Sequence, residues 1–203
     1  MSEVRDGLHI KHAEFIFGAP TLRDIRKSNT PEVAIIGRSN VGKSTFVNRL
    51  CNSRIARVSG RPGCTQELNF YHVDGVVGET PFDVNVVDMP GFGFARLSKG
   101  EREEISRLTV DYLRNRKQLH VCILLNDCRR QPQADEVAVQ RMCIDSGVRC
   151  LVVATKLDKE KRSQHERLLK DVASGFGLER PDILATGEDI SPAAIWSRVI
   201  SLL

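Results

Sequence analysis

Gly37-Arg38-Ser39-Asn40-Val41-Gly42-Lys43-Ser44 decides the fold, because it matches G-x-x-x-x-G-K-S directly after a β-rich run, Glu32–Ile36, and directly before a helical pattern over 43–51. Each part of the octapeptide has a physical use. The glycines let backbone N–H groups converge on phosphate oxygens, and the following helix offers the same anion its positive N-terminal end. Lys43 reaches the β- and γ-phosphates, and the Ser44 hydroxyl is a ligand for Mg²⁺. The stretch through Thr45 is thus the candidate nucleotide-binding loop. A glycine turn that happens to contain Gly-Lys-Ser is disfavoured, because motif and context coincide.

Beyond this loop, short β-rich runs alternate with longer helical patterns after residue 30, which is the signature of βαβ units. Strands are expected at Glu32–Ile36, Glu67–Val73, Phe82–Val87, Val121–Leu125, Arg149–Ala154 and Asp182–Leu184, and helices at about 43–51, 100–116, 133–146, 160–174 and 191–202. The second and third strands are separated by Asp74-Gly75 and a few small residues, too few for a crossover helix, so they should form an antiparallel hairpin. The expected class is α/β: three layers, with helices on both faces of a mostly parallel six-stranded sheet that has one antiparallel edge strand. Residues 1–30, weakly patterned around Phe15-Ile16-Phe17, read as an N-terminal arm, and 31–203 as the main domain. Ser53–Gly63 is the most loop-like interior segment.

Two further motifs fall at strand ends, where open α/β sheets bind ligands. Asp88-Met89-Pro90-Gly91 follows Phe82–Val87; Asp88 can hold Mg²⁺ through water, and with Gly91 it reads as a γ-phosphate sensor. Thr155-Lys156-Leu157-Asp158 follows the run ending at Ala154 and looks like the base-reading motif of GTPases. A carboxylate at Asp158 can accept guanine N1–H and N2–H₂, a pattern that adenine lacks. The Lys156 stem can lie along the base face. In the loop Pro62-Gly63-Cys64-Thr65-Gln66, Gly63 flanks Thr65, whose hydroxyl stands where a first switch completes Mg²⁺ coordination; a turn threonine is the alternative.

Together these residues resemble the translation-factor-like branch of P-loop GTPases, and more narrowly the EngB (YihA/YsxC) family of ribosome-biogenesis proteins. The narrower likeness lies in the phosphate loop, in Pro62–Phe70, in Asp88-Met89-Pro90-Gly91-Phe92-Gly93-Phe94-Ala95, in the Tyr112-Leu113 region and in Thr155–Lys159, and it spans about residues 20–200. The resemblance implies an EngB-type GTPase domain over 31–203 and a GTP/GDP switch needed for maturing the large ribosomal subunit. Rather than the family's serine pair after the strand near Ile183, the chain has Ala185-Thr186-Gly187, so Ala185 and Thr186 are the expected backbone contacts to guanine. Asp127-Cys128-Arg129-Arg130-Gln131-Pro132 also departs from the family's Asp-x-Arg-His-Pro.

Phe92 stands where GTPases such as Ras place the glutamine that orients the attacking water, so unaided turnover should be slow and the catalytic group is unassigned. The resemblance suggests a K⁺ ion held by Asn40 as the missing positive charge. A loop amide bonding its own backbone is the other reading of Asn40.

The chain has 203 residues and a formal net charge of +4, ordinary for a globular chain and far from the basic excess of a histone-like protein. Its apolar runs, such as Val121–Leu125, are too short for a bilayer, and its N-terminus lacks a secretion signal, so a cytoplasmic protein without a membrane contact is expected. Six cysteines show no C-x-x-C spacing, which disfavours disulfide and zinc roles. Two functions compete: a slow GTP hydrolase that drives assembly of the large subunit, and a guanine-nucleotide-gated RNA or protein binding module in which hydrolysis is incidental. Expected partners are rRNA, ribosomal protein or both, with no DNA, and a monomer is expected. Arg54, Arg57, Arg61, Arg129 and Arg130 fit an RNA-facing surface or, alternatively, solvated loops.

Overall fold

The computed structural model describes residues 7–56, 67–92, 99–187 and 190–203. Among these, seven strands form one sheet: β1 (Leu8–Ala19), β2 (Glu32–Gly37), β3 (Leu68–Val77), β4 (Thr80–Asp88), β5 (Leu119–Asp127), β6 (Arg149–Thr155) and β7 (Leu184–Ala185). Their spatial order is β1-β3-β4-β2-β5-β6-β7. The central strands β4, β2, β5, β6 and β7 pair in parallel, whereas β3 runs antiparallel to both β4 and β1. The α/β class and the antiparallel edge hold. The strand count is corrected from six to seven, because the stretch read as an arm supplies β1.

The strand β1 escaped the sequence reading for a physical reason. Its register against β3 shifts between Ile10 and His12 and again between Phe15 and Phe17, so the inward positions do not keep the two-residue period of a plain strand. Aromatic packing holds it in place nonetheless: Phe17 stacks on Phe70 at 4.5 Å, and Phe15 meets Tyr71 edge-on. The expected hairpin forms, but Asp74 and Gly75 lie within β3 rather than in the turn. Gly75 is there because β1 crosses so closely that a Cβ would come within 2.4 Å of the His9 carbonyl oxygen. At the far edge the expected strand Asp182–Leu184 is displaced, since Arg180–Asp182 forms a 3-10 turn around Pro181 and only Leu184 and Ala185 pair with β6.

Five helices cover the sheet: α1 (Lys43–Leu50), α2 (Lys99–Asn115), α3 (Ala134–Asp145), α4 (Arg162–Gly175) and α5 (Ala193–Ile200). Because β2 is buried on both faces, it reads as the continuous apolar run Val33-Ala34-Ile35-Ile36. Ala34 and Ile36 join the core under α2, α3 and α4, whereas Val33 and Ile35 join the core under α1 and α5. On the second face the Trp196 indole donates to the Leu50 carbonyl at 2.9 Å and stacks on Phe82, which ties α5 to the end of α1.

At the start of β2 the fully buried Glu32 carboxylate accepts from Tyr112 at 2.7 Å and from both arms of the Arg116 guanidinium, Nε lying at 2.8 Å. This closed set pins the C-terminal end of α2 to the sheet, at the end opposite the phosphate loop. A buried carboxylate is tolerated when it is paired and hydrogen-bonded on both oxygens.

Candidate functional site

The C-terminal ends of β2, β4, β5 and β6 lie along one edge, where β2 leads into the phosphate loop and β4, β5 and β6 end in Asp88, Asp127 and Thr155. β2 leads into the loop through Gly37, and Gly42 caps α1 at φ +105, a left-handed conformation that favours glycine and sets Lys43 and Ser44 in the first turn of the helix. Burial pushes the Lys43 ammonium below its usual pKa, and the Asp88 carboxylate opposes that shift. Asp88 ends β4 at 2% exposure. Burial raises its pKa to about 6 against the pull of Lys43. Its Oδ1 has no hydrogen-bond partner among the described residues. A buried carboxylate oxygen without a donor, coupled to the phosphate-loop lysine, fits a hydrated divalent cation.

The chain after Asp88 returns directly onto the loop. The Phe92 N–H donates to the Gly37 carbonyl at 3.3 Å, and the Phe92 carbonyl accepts from the Ser39 N–H at 3.0 Å. The Phe92 ring packs against the core under α2 to α4 rather than offering a polar group to the loop. The Arg38 side chain is engaged by Asp135 of α3 at 3.2 Å. Asn40 is exposed at φ +63, a backbone region that asparagine tolerates.

β6 ends in the T-K-x-D segment. The buried Thr155 hydroxyl lies 2.8 Å from the Val41 carbonyl, so it braces the phosphate loop. Lys156, at φ +61, reaches back so that its Nζ donates to the Asn40 carbonyl at 2.7 Å and pairs with Asp127 at 3.0 Å. The Asp158 carboxylate is paired with Lys159 at 3.0 Å. The Thr186 N–H is taken by the Ala154 carbonyl at 2.9 Å, which continues the β7 pairing. The residue that meets Asp158 is instead Gly187, where a Cβ would stand 3.1 Å from Oδ1 and 3.2 Å from the Asp158 Cβ.

The structure thus brings Gly37 to Thr45, Asp88, Gly91, Thr155, Lys156, Asp158, Ala185 and Thr186 to one edge of the sheet. Gly63, Thr65, Arg57 and Arg61 lie outside the described residues. Arg54, Arg129 and Arg130 are exposed, and Arg129 is also bound through Nε and Nη2 to Asp127, at 2.8 and 2.7 Å. Two residues of the site, Gly187 and Asp127, stand in stretches that the sequence singles out without assigning them a role. Gly187 carries its signal in the absence of a side chain, and Asp127 ends an apolar strand in register with Thr155.

A phosphate loop and a T-K-x-D strand end on one sheet edge, with a buried acid on the strand beside the loop, place this protein among the P-loop GTPases, which hydrolyse GTP to GDP and phosphate. Residues 32–156 match the family model described as a 50S ribosome-binding GTPase. A relative from Heliobacterium modesticaldum, described as "Probable GTP-binding protein EngB", is 37% identical over 184 residues, which cover 89% of this chain and 86% of the relative. One of the same description from Pelotomaculum thermopropionicum is 40% identical over 172 residues, covering 84% and 83%. The chain belongs to the EngB family of GTP-binding proteins. Among solved structures, a probable GTP-binding protein engB superposes with a TM-score of 0.62 at 24% identity, covering 84% of this chain and 97% of that one. Era in complex with MgGDPNP and nucleotides 1506–1542 of 16S ribosomal RNA superposes at 0.65 and 20% identity, covering 84% and 55%. Both share the fold. Among the described residues, no helix is long and apolar enough to cross a membrane.

Proposed function

We propose that the protein is a GTP-binding and slowly GTP-hydrolysing switch that works in the cytoplasm and assists assembly of the large ribosomal subunit, as a monomer that contacts rRNA, ribosomal protein or both. The observation that carries the reading is the pair of backbone hydrogen bonds between Phe92 and the loop residues Gly37 and Ser39. Through them, Phe92, just beyond the Asp88–Gly91 segment, is tied to the phosphate loop, a link that a nucleotide-dependent switch can use. The large subunit as partner rests on the description of the matching family model.

In this reading Lys43 contacts the β- and γ-phosphates, Gly91 lies at the γ-phosphate, Asp158 accepts from guanine N1–H and N2–H₂, and Lys156 lies along the base face. Ser44, Asp88 through water, and Thr65 would hold Mg²⁺, which when bound neutralises charge on the phosphate oxygens. Asn40 would hold K⁺. A phenyl ring cannot orient water by hydrogen bonding, so Phe92 makes unaided turnover slow and also favours a second reading, a nucleotide-gated binding module in which hydrolysis is incidental.

Sedimentation with purified large subunits tests the partner: the protein co-sediments with a non-hydrolysable GTP analogue and leaves with GDP. Binding indifferent to nucleotide overturns the switch. Multiple-turnover phosphate release that rises on adding large subunits supports the hydrolase, and an unchanged rate supports the binding module.

A further inference from the structure

We propose that Asp127 is a positioning residue for nucleotide binding: it holds the Lys156 ammonium against the phosphate loop, so that the lysine stem stands ready as a wall for the guanine base. The inference rests on the guanine-nucleotide reading above and adds a residue to that site.

Asp127 is the last residue of β5, 7% exposed, and lies in register with Thr155 on β6. Its Oδ2 pairs with Lys156 Nζ at 3.0 Å, and the same Nζ donates to the Asn40 carbonyl at 2.7 Å. The ammonium is therefore held between a strand end and the phosphate loop. The carboxylate is itself fixed, because Arg129 Nε and backbone N–H donate to Oδ1 at 2.8 and 3.1 Å and Arg129 Nη2 donates to Oδ2 at 2.7 Å. Burial acts to raise the Asp127 pKa, but the hydrogen bonds from Arg129 and Lys156 outweigh it and hold the carboxyl well below the usual carboxylate range, so it stays ionised.

A free lysine stem samples many rotamers, and ordering it on binding costs conformational entropy. Here that cost is met before the base arrives, and preorganisation of this kind appears as affinity. Asp127 also fixes Arg129, whose Nε and Nη2 are held on the carboxylate while the side chain stays exposed. The stem touches a base by its face and Asp158 reads the edge, so Asp127 acts alike on any purine that Asp158 admits.

Calorimetric titration of the full chain with GDP and IDP tests this, using wild type, Asp127→Asn, Lys156→Ala and the double variant. Asp127→Asn is expected to weaken both ligands by the same factor, about 3- to 30-fold, which lies within the range of coupling between residues in contact. In the Lys156→Ala background the same change should cost no further affinity. Lys156→Met, which keeps the stem and removes the ammonium, cuts this link with Asp127 intact and also loses the bond to the Asn40 carbonyl, so its expected loss is at least that of Asp127→Asn. That variant decides the matter if Asp127→Asn fails to fold. Wild-type affinity in Lys156→Met, or an equal loss from Asp127→Asn with and without Lys156, overturns the positioning role while leaving guanine binding in place. Failure of the wild type to bind GDP overturns the guanine reading itself.

Discussion

Asp88→Asn should make the nucleotide-free protein more stable at neutral pH while crippling its response to GTP. The Asp88 carboxyl is 2% exposed, its Oδ1 lacks a hydrogen-bond partner among the described residues, and burial lifts its pKa from 3.8 to about 6 despite Lys43. A shift of about 2 units at ~1.4 kcal/mol each gives a ceiling of about 3 kcal/mol for keeping it ionised. That ceiling is already net of the attraction to Lys43, and asparagine only approximates the protonated acid, so a gain of about 1–2 kcal/mol is expected, or about 3–6 °C in Tm. The sign follows from the raised pKa. The contribution of Asp88 to stability is full below about pH 4 and is lost as pH rises through about 6. Wild type should therefore close the gap as the solution is acidified. Thermal unfolding followed by circular dichroism at pH 7.5, 6 and 4 reads this directly. With GTP and Mg²⁺ the order should reverse, because only wild type gains fully from ligand binding. An Asp88→Asn variant less stable than wild type without nucleotide at pH 7.5, or a gap that does not shrink on acidification, refutes the reasoning.

Glu32→Gln leaves Arg116 without its counter-charge and should cost about 3 kcal/mol in urea unfolding, whereas Tyr112→Phe removes one donor of three and should cost about 1 kcal/mol; equal losses would show that the hydroxyl and the ion pair act as one unit. Gly187→Ala places a Cβ 3.1 Å from the Asp158 carboxylate and should lower GTP affinity by about 3- to 10-fold, a cost typical of mild overpacking, with the melting temperature nearly unchanged. GTP hydrolysis should run faster in K⁺ than in Na⁺, and Asn40→Ala should abolish the difference; equal rates in both salts leave Asn40 a structural role only.

The chemistry-bearing edge was legible in the sequence because its motifs are local. A phosphate loop needs glycines and a lysine at set spacings, and Asp88 and Thr155–Asp158 each follow a β-rich run that reads as a strand. What the sequence hid was non-local. β1 was obscured by two register shifts, and its place beside β3 depends on Phe17 meeting Phe70. Gly75 looked like a turn residue because its reason, the approach of the His9 carbonyl, comes from a strand far away in the chain. Thr186 was expected to contact guanine through its backbone, but its N–H is spent on extending β6–β7 pairing. Asp127 heads a stretch that the sequence marks, but its partner Lys156 comes from another strand end and is not legible there.

The base preference of Asp158→Asn tests most directly that this protein is a guanine-nucleotide GTPase. An asparagine there presents a donor to a guanine donor, and an unmatched polar pair in such a site costs about 1–3 kcal/mol, more where a charge-assisted bond is lost. Equilibrium titration of wild type and Asp158→Asn with GTP, XTP and ATP should show at least a ~10-fold loss for GTP in the variant and a shift in preference toward XTP, whose carbonyl replaces the 2-amino group. Neither form should bind ATP well. A wild type that binds ATP as tightly as GTP, or a variant whose GTP-to-XTP preference is unchanged, would contradict the assignment of Thr155–Asp158 as the base reader.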